Sequence, residues 1–227
     1  MKPITWSENI PAYQPATLVP TKWGGHYYNA PDGQTFPSVT TMNSKLNPFN
    51  GSYGQKIWYE RLGGEEEGKL ASSYTLAKGS WVHRVVERFL KGMDINIMIP
   101  APIQQAFGNL VPYLINISEI MGCEIPMYSY SMRLAGTADC IAKYNGVPSV
   151  IDFKTSTKEK KESDIQNYFV QATAYSRMWH EMTGQKIDQI VILVTCDTGQ
   201  RQEFARYTKD YETKLDAALQ KFEALRT

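Results

Sequence analysis

Along the chain the apolar positions change period several times, and each change predicts an element boundary. From about Leu70 to Leu90, Val82, Val85, Val86 and Phe89 recur at helical spacing, and Gly92 follows as a stop signal. A further helix is predicted from Pro102, a good first-turn residue, with Ile103, Phe107, Leu110, Val111, Leu114 and Ile117 on its apolar side and Pro112 as a kink. At Glu124 the period shortens. The runs "EIPMYSYSM", "GTADCIAKY" and "PSVIDF" read as three consecutive strands, the last two closing at Asn145-Gly146. A polar loop, "KTSTKEKKESD", leads to a helix from about Ile165 to Met182. The apolar strand "IDQIVILVT", a strand around "QEFARYT" and a closing helix with Tyr211, Leu215, Leu219, Phe222 and Leu225 complete the order.

Nearer the N-terminus, residues 1–25 are rich in Pro, Thr and Gly and predict a loosely packed arm. "HYYNAPDGQTFPSVTTM" reads as a hairpin around Pro31-Asp32-Gly33, and "GQKIWYERLG" as a short amphipathic helix. Helix, three strands, helix, strand is the order of one α/β domain with a mixed central β-sheet flanked by helices. The expected division is an arm at 1–25 and one domain at 26–227, with an elaboration at 26–69, a core at 70–200 and a terminal strand and helix at 201–227.

Composition narrows the partners only a little. The chain has 227 residues, and 42% apolar with 21% charged is the balance of an ordinary globular domain. A formal net charge of +1 announces no polyanion partner, although a groove needs only local charge. Cys123, Cys140 and Cys196 form no C-x-x-C pair, which argues against a structural zinc and a disulfide framework. "MKPITWSENIPAYQ" lacks the order of a secretory signal, and no apolar run approaches a membrane span of about 20 residues. A reducing, cytoplasmic setting without a membrane partner is the expectation.

Charged residues inside the second hairpin carry the chemistry. Asp139 interrupts one strand, where Ile141 should share its face while Cys140 and Ala142 point away. Asp152 and Lys154 share a face of the next strand, opposite Phe153, and closure at Asn145-Gly146 brings Asp152 towards Asp139. An isolated D-x-K is common at strand ends; the upstream aspartate changes its meaning. Two crowded carboxylates need compensation, and Mg²⁺ supplies it through oxygen ligands, with the Phe153 carbonyl as a further donor. In the preceding helix His83 and Glu87 lie four apart on the polar side, one turn after Gly79, so His83 is a candidate ligand. Gln171 and Tyr175 stand at i and i+4 on the following helix.

Together these residues resemble the PD-(D/E)XK phosphodiesterase superfamily and, within it, the RecB-like exonucleases. Gly79, His83 and Glu87 match a helical G-x-x-x-H-x-x-x-E. Gly136 to Asp139 match G-x-x-D, "VIDFKTS" matches D-x-K, and "QATAY" matches Q-x-x-x-Y. The run from Gly136 to Lys160 looks like the mitochondrial genome maintenance exonucleases and related bacteriophage nucleases, and "PSVTT" matches a segment of the phage members.

The resemblance implies a restriction-endonuclease-like core of α-β-β-β-α-β order. It also implies Mg²⁺- or Mn²⁺-dependent hydrolysis of DNA, from a free end or on a single strand, in phage or bacterial replication, repair or recombination. Asp139, Asp152, the Phe153 carbonyl and His83 would hold metal, His83 completing that shell or holding a second ion. Lys154 would orient or deprotonate the attacking water or stabilise the pentacovalent phosphate. Gln171 and Tyr175 would buttress Lys154 or meet the phosphate backbone; Glu87 and Glu124 are acids of the second shell or ligands. Arg133 before the hairpin and Lys158, Lys160 and Lys161 after it are candidate phosphate contacts, and Tyr28, Trp58 and Tyr59 candidate stacking residues. The family's iron–sulfur members place cysteines where this chain has none, so no cluster is expected. No P-loop is present, so any motor would be borrowed, from a replication or recombination protein. The alternatives are a structure-specific endonuclease and a catalytically silent DNA-binding module.

Overall fold

A computed structural model describes residues 4–20, 25–46, 59–95 and 99–226. A five-stranded mixed sheet organises it: β4 (Ile117–Ser129), β5 (Leu134–Tyr144), β6 (Val147–Ser156), β7 (Gln189–Cys196) and β8 (Arg201–Tyr207), adjacent in that order. Only β6 and β7 are parallel. A smaller antiparallel sheet joins β1 (Thr17–Val19), β2 (Tyr27–Asn29) and β3 (Thr35–Pro37).

Helices cover both faces of the large sheet, and the central strands are apolar on both sides as that requires. On one face α2 (Glu65–Leu90) and α3 (Ala101–Leu114) press Val82, Val85, Val86, Leu90, Ile103 and Leu110 onto Cys140, Ala142, Ile151, Phe153, Val191 and Leu193. On the other, α1 (Val39–Leu46), α4 (Gln166–Thr183) and α5 (Glu212–Ala224) pack against Ile141, Val150, Ile190, Ile192 and Val194. Each of these buried aliphatic side chains contributes about 1.5–3 kcal/mol, so the sheet is a rigid base for polar groups at its rim. Among the described residues no helix is long and apolar enough to cross a membrane.

Several boundaries differ from the sequence expectation, each for a local reason. "SVTTM" continues the hairpin on paper because Val39, Thr40 and Thr41 are β-branched; it folds as α1, started by the Ser38 hydroxyl, which accepts the Thr41 amide at 3.0 Å. Helix α2 begins five residues earlier than expected, with Glu65, Glu66 and Glu67 suiting its positive end. Ile117, expected on a helix, opens β4; a register shift between Ser118 and Gly122 hides the strand's period. The first half of the expected 54–63 helix lies outside the described residues, and 59–61 are helical.

The N-terminal arm, expected to pack loosely, is tied down in the parts described. Strand β4 is a sheet edge with unpaired backbone groups, and the arm covers them. Ser7 donates to the Ile120 carbonyl at 2.8 Å, Ile120 to that of Thr5 at 2.9 Å, and Ala16 to that of Pro126 at 3.2 Å. The Tyr13 ring meets Trp179 edge-on at 5.4 Å.

Candidate active site

The site begins where two strands part. Asn145 and Gly146, both at positive φ, close a two-residue hairpin, and β5 pairs with β6 from Tyr144–Val147 to Cys140–Ile151. Asp139 and Asp152 would form the next pair. Instead the Asp139 carboxylate accepts the Phe153 amide at 2.8 Å, replacing a backbone partner with a side chain. Beyond this fork β6 pairs with β7 alone, through Ser156, and the other end of β5 pairs with β4.

Strand β4 brings the second carboxylate. Cys123 faces Cys140 and Ile125 faces Ala138, which sets Glu124 across from Asp139. Glu124 has a φ of 51°, in the left-handed region that non-glycine residues rarely occupy. Ala138 and Ile141 pack in one core while Cys140 packs in the other, so strict alternation breaks at Asp139. Cys140 and Ala142 do lie opposite Ile141, as the face count expects, but Ala138 joins Ile141's core, so the count cannot be carried through Asp139.

Helix α2 adds His83. Its Nε2 donates to the Phe153 carbonyl at 2.7 Å, since a carbonyl only accepts, and its Nδ1 lies 3.5 Å from Asp139 Oδ1 and 3.7 Å from Glu124 Oε1. One ligand atom from each of the three side chains lies within 4.8 Å of the others. The Asp139 carboxylate, helped by Glu124, holds the imidazole well above its usual range although burial opposes it. Burial pushes Asp139 up, but His83, Lys154 and the Phe153 amide outweigh it, so the carboxyl titrates below its usual value.

Asp152 and Lys154 occupy the other side of the fork. Asp152 is 2% exposed, and its Oδ1 accepts a hydrogen bond from Lys154 Nζ at 2.7 Å. Oδ2 lies equally near the ammonium, so both carboxylate oxygens share the one ion pair. Burial pushes the Asp152 carboxyl up to about 6 against the pull of Lys154, with Asp139 adding to the rise. Burial also works against the Lys154 charge, yet Asp152 and Asp139 hold that ammonium above the usual lysine value. A buried carboxylate is costly without a cation beside it, and Lys154 supplies that cation here.

A cleft of about 790 Å³ opens beside these groups, lined by Gly79, His83, Arg84 and Glu87 of α2 and by Glu124, Phe153 and Lys154 of the strands. The Phe153 carbonyl, expected as a metal ligand, is engaged by His83, and Asp152 pairs with Lys154 while Glu124 joins Asp139. The donors are carboxylate oxygens and one imidazole, with no thiol in the cluster, a set that fits a hard divalent cation.

Other expected residues fall nearby or away. Glu87 lines the cleft, its Oε1 accepting from Lys91 at 2.6 Å. Gln171 Nε2 donates to the Tyr175 hydroxyl at 2.8 Å, and both are buried. The ring over which Lys154 Nζ sits, at 5.2 Å, is that of Tyr168, which the sequence did not single out. Tyr175 instead backs Gly136, where an added Cβ would lie 2.8 Å from its Cε1. Two sequence motifs are thus one packing contact. Gly136→Ala is expected to destabilise the fold by about 1–3 kcal/mol in a denaturant melt, less in a Tyr175→Leu background.

Gly79 has no such neighbour, since its Cβ would meet only Thr155 Oγ1 at 3.6 Å. Arg133 pairs with Glu223 at 2.8 Å, about 20 Å along β5 from Asp139. Lys158 is exposed on the loop after β6 and not in the cleft wall. Tyr28 is buried, its hydroxyl 3.0 Å from that of Thr137, and Tyr59 lies tightly against Gly68; Trp58 is outside the described residues.

Both the sheet order and this cluster accord with what the chain matches. It belongs to the PD-(D/E)XK nuclease superfamily, whose pattern matches residues 102–227. That span contains Glu124, Asp139, Asp152 and Lys154 and leaves out His83. Members of this superfamily use divalent metals. The chain is also similar to mitochondrial genome maintenance exonuclease 1 of Mus musculus, 26% identical over 130 residues, which is 56% of this chain and 38% of the relative. The Xenopus tropicalis protein of the same name is 25% identical with the same coverage. The match spans little more than a third of these relatives' length.

Proposed function

We propose that this chain is a metal-dependent DNA exonuclease that hydrolyses phosphodiester bonds on single-stranded DNA or at DNA ends. The observation that carries the reading is the convergence of His83, Glu124 and Asp139 beside a cleft that His83, Glu124 and Lys154 line, with Asp152 paired to Lys154 behind it. Asp139, Glu124 and His83 would hold Mg²⁺ or Mn²⁺, with Asp152 Oδ2 as a further oxygen. When bound, the cation neutralises phosphate charge and lowers the pKa of water at the site.

Lys154, an ammonium paired with Asp152, would act as a fixed positive charge on the phosphoryl oxygens. Asp152 holds that ammonium in place, and the Tyr168 ring covers it. The hydrogen bond from His83 to the Phe153 carbonyl ties α2 to β6 and keeps the cluster assembled. The names of the two relatives support an exonuclease in genome maintenance. The setting we infer is replication, repair or recombination in the cytoplasm of a bacterium or a phage-infected host.

The test is digestion of end-labelled linear single-stranded DNA beside a closed circular form, with Mg²⁺ and with EDTA. Metal-dependent loss of the linear strand alone is expected. Nicking of the circle would replace this reading with an endonuclease, and binding of both without cleavage would leave a DNA-binding module.

A further inference from the structure

Arg84 follows His83 on α2 and is exposed in the cleft wall. Among the described residues it forms no ion pair; its guanidinium lies over the Trp81 ring at 5.4 Å. Trp81 is itself 37% exposed, and Tyr74, seven residues earlier and so on the same side of the helix, is 56% exposed. An exposed cation without an ion pair among the described residues and a part-exposed indole beneath it sit together on a helix that buries its other side well. A nucleic acid supplies what each lacks: the guanidinium can take a phosphate, and an aromatic or guanidinium plane can take a base face.

We propose that Arg84, in the cleft wall, and Trp81, beneath it on the outer side of α2, form a nucleotide-binding step that takes an unpaired nucleotide next to the one being cut. The inference rests on the DNA-cleaving reading and moves base stacking from Tyr28 and Tyr59, which are packed, to the outer side of α2. The nucleotide must be unpaired, because in a duplex both base faces are covered by neighbouring bases. Arg84 also offsets the repulsion that Glu87, Glu124 and Asp139 exert on an incoming phosphate backbone.

The test uses the full chain in EDTA, so that binding is read without cleavage. A short oligothymidylate is compared with a series in which one base at a time is replaced by an abasic sugar. In the unmodified protein one position should lose about tenfold in affinity, the size expected of one stacked base. Trp81→Ala should bind the intact strand about tenfold more weakly and show no further loss at that position. Trp81→Phe should retain most of the affinity, and Trp81→Leu, which keeps apolar bulk without a π face, should behave as the alanine variant, so the question stays open to measurement if the smaller side chain unfolds the helix. Arg84→Gln should weaken binding and flatten its salt dependence. Unchanged affinity in Trp81→Leu, or an abasic penalty that persists there, overturns the proposal, as does a strand with no abasic-sensitive position. Cleavage by the unmodified chain with Mg²⁺ is scored separately. Its absence beside an intact stacking signature removes the nuclease reading and leaves a strand-binding step; its presence beside unaltered binding in the variants does the reverse.

Discussion

Lys154→Ala is expected to lower the rate of DNA cleavage by about 10²–10³-fold, the scale on which removal of one preorganised charge acts. Binding of the same strand in EDTA should change little. The reason is positional. Lys154 is one ammonium held between Asp152 and the Tyr168 ring, so its attraction for a resting phosphate is partly cancelled by the carboxylate beside it. Its effect grows as negative charge develops on the reacting phosphoryl group. Equal losses of binding and cleavage would make Lys154 a binding residue and remove it from the chemistry. Single-turnover cleavage with saturating enzyme, set beside equilibrium binding, separates the two.

Asp139→Asn should be as damaging to cleavage, by about 100-fold or more, through another route. The asparagine carbonyl can still accept the Phe153 amide, so the fork between β5 and β6 is preserved. What is lost is the charge that Glu124 and His83 share with it. A ligand that binds only the folded chain raises its melting temperature. Millimolar Mn²⁺ should therefore raise that of the unmodified protein and leave that of the asparagine variant unmoved. Asp139→Ala should also lower melting without metal, because the Phe153 amide loses its partner. A metal-dependent rise retained in Asp139→Asn would place the cation elsewhere.

How far the site was legible depends on how local its signals are. The β5–β6 hairpin was plain because Asn145-Gly146 is short-range turn chemistry and the strands alternate on either side of it. The order of elements, and Asp139, Asp152, Lys154 and His83 as residues of interest, followed from spacing and from motifs in order. Helix α1 was missed because the β propensity of Val39, Thr40 and Thr41 outweighed one capping serine. The nearness of Glu124 to Asp139 is not legible in the sequence, since its neighbour across the ladder is fifteen residues away and its left-handed backbone leaves no mark in composition. The pairing of Arg133 is hidden for the converse reason. Its nearness in sequence to the hairpin says nothing of a partner on α5, 90 residues on.

By itself the sequence determined the α/β order, the two motif-bearing strands and the chemical identity of the groups that meet at their ends. Those are properties of short segments, set by period, turn residues and side-chain type. Only the tertiary structure decided which carboxylates share a site. Alternation along a strand predicts one face for Asp139, but its bond to the Phe153 amide parts β5 from β6 and a left-handed residue in β4 reverses the count beside it. The result joins Asp139 to Glu124 and His83 and leaves Asp152 with Lys154. Where a sheet splits depends on register and packing summed over distant residues, and no single segment carries that information.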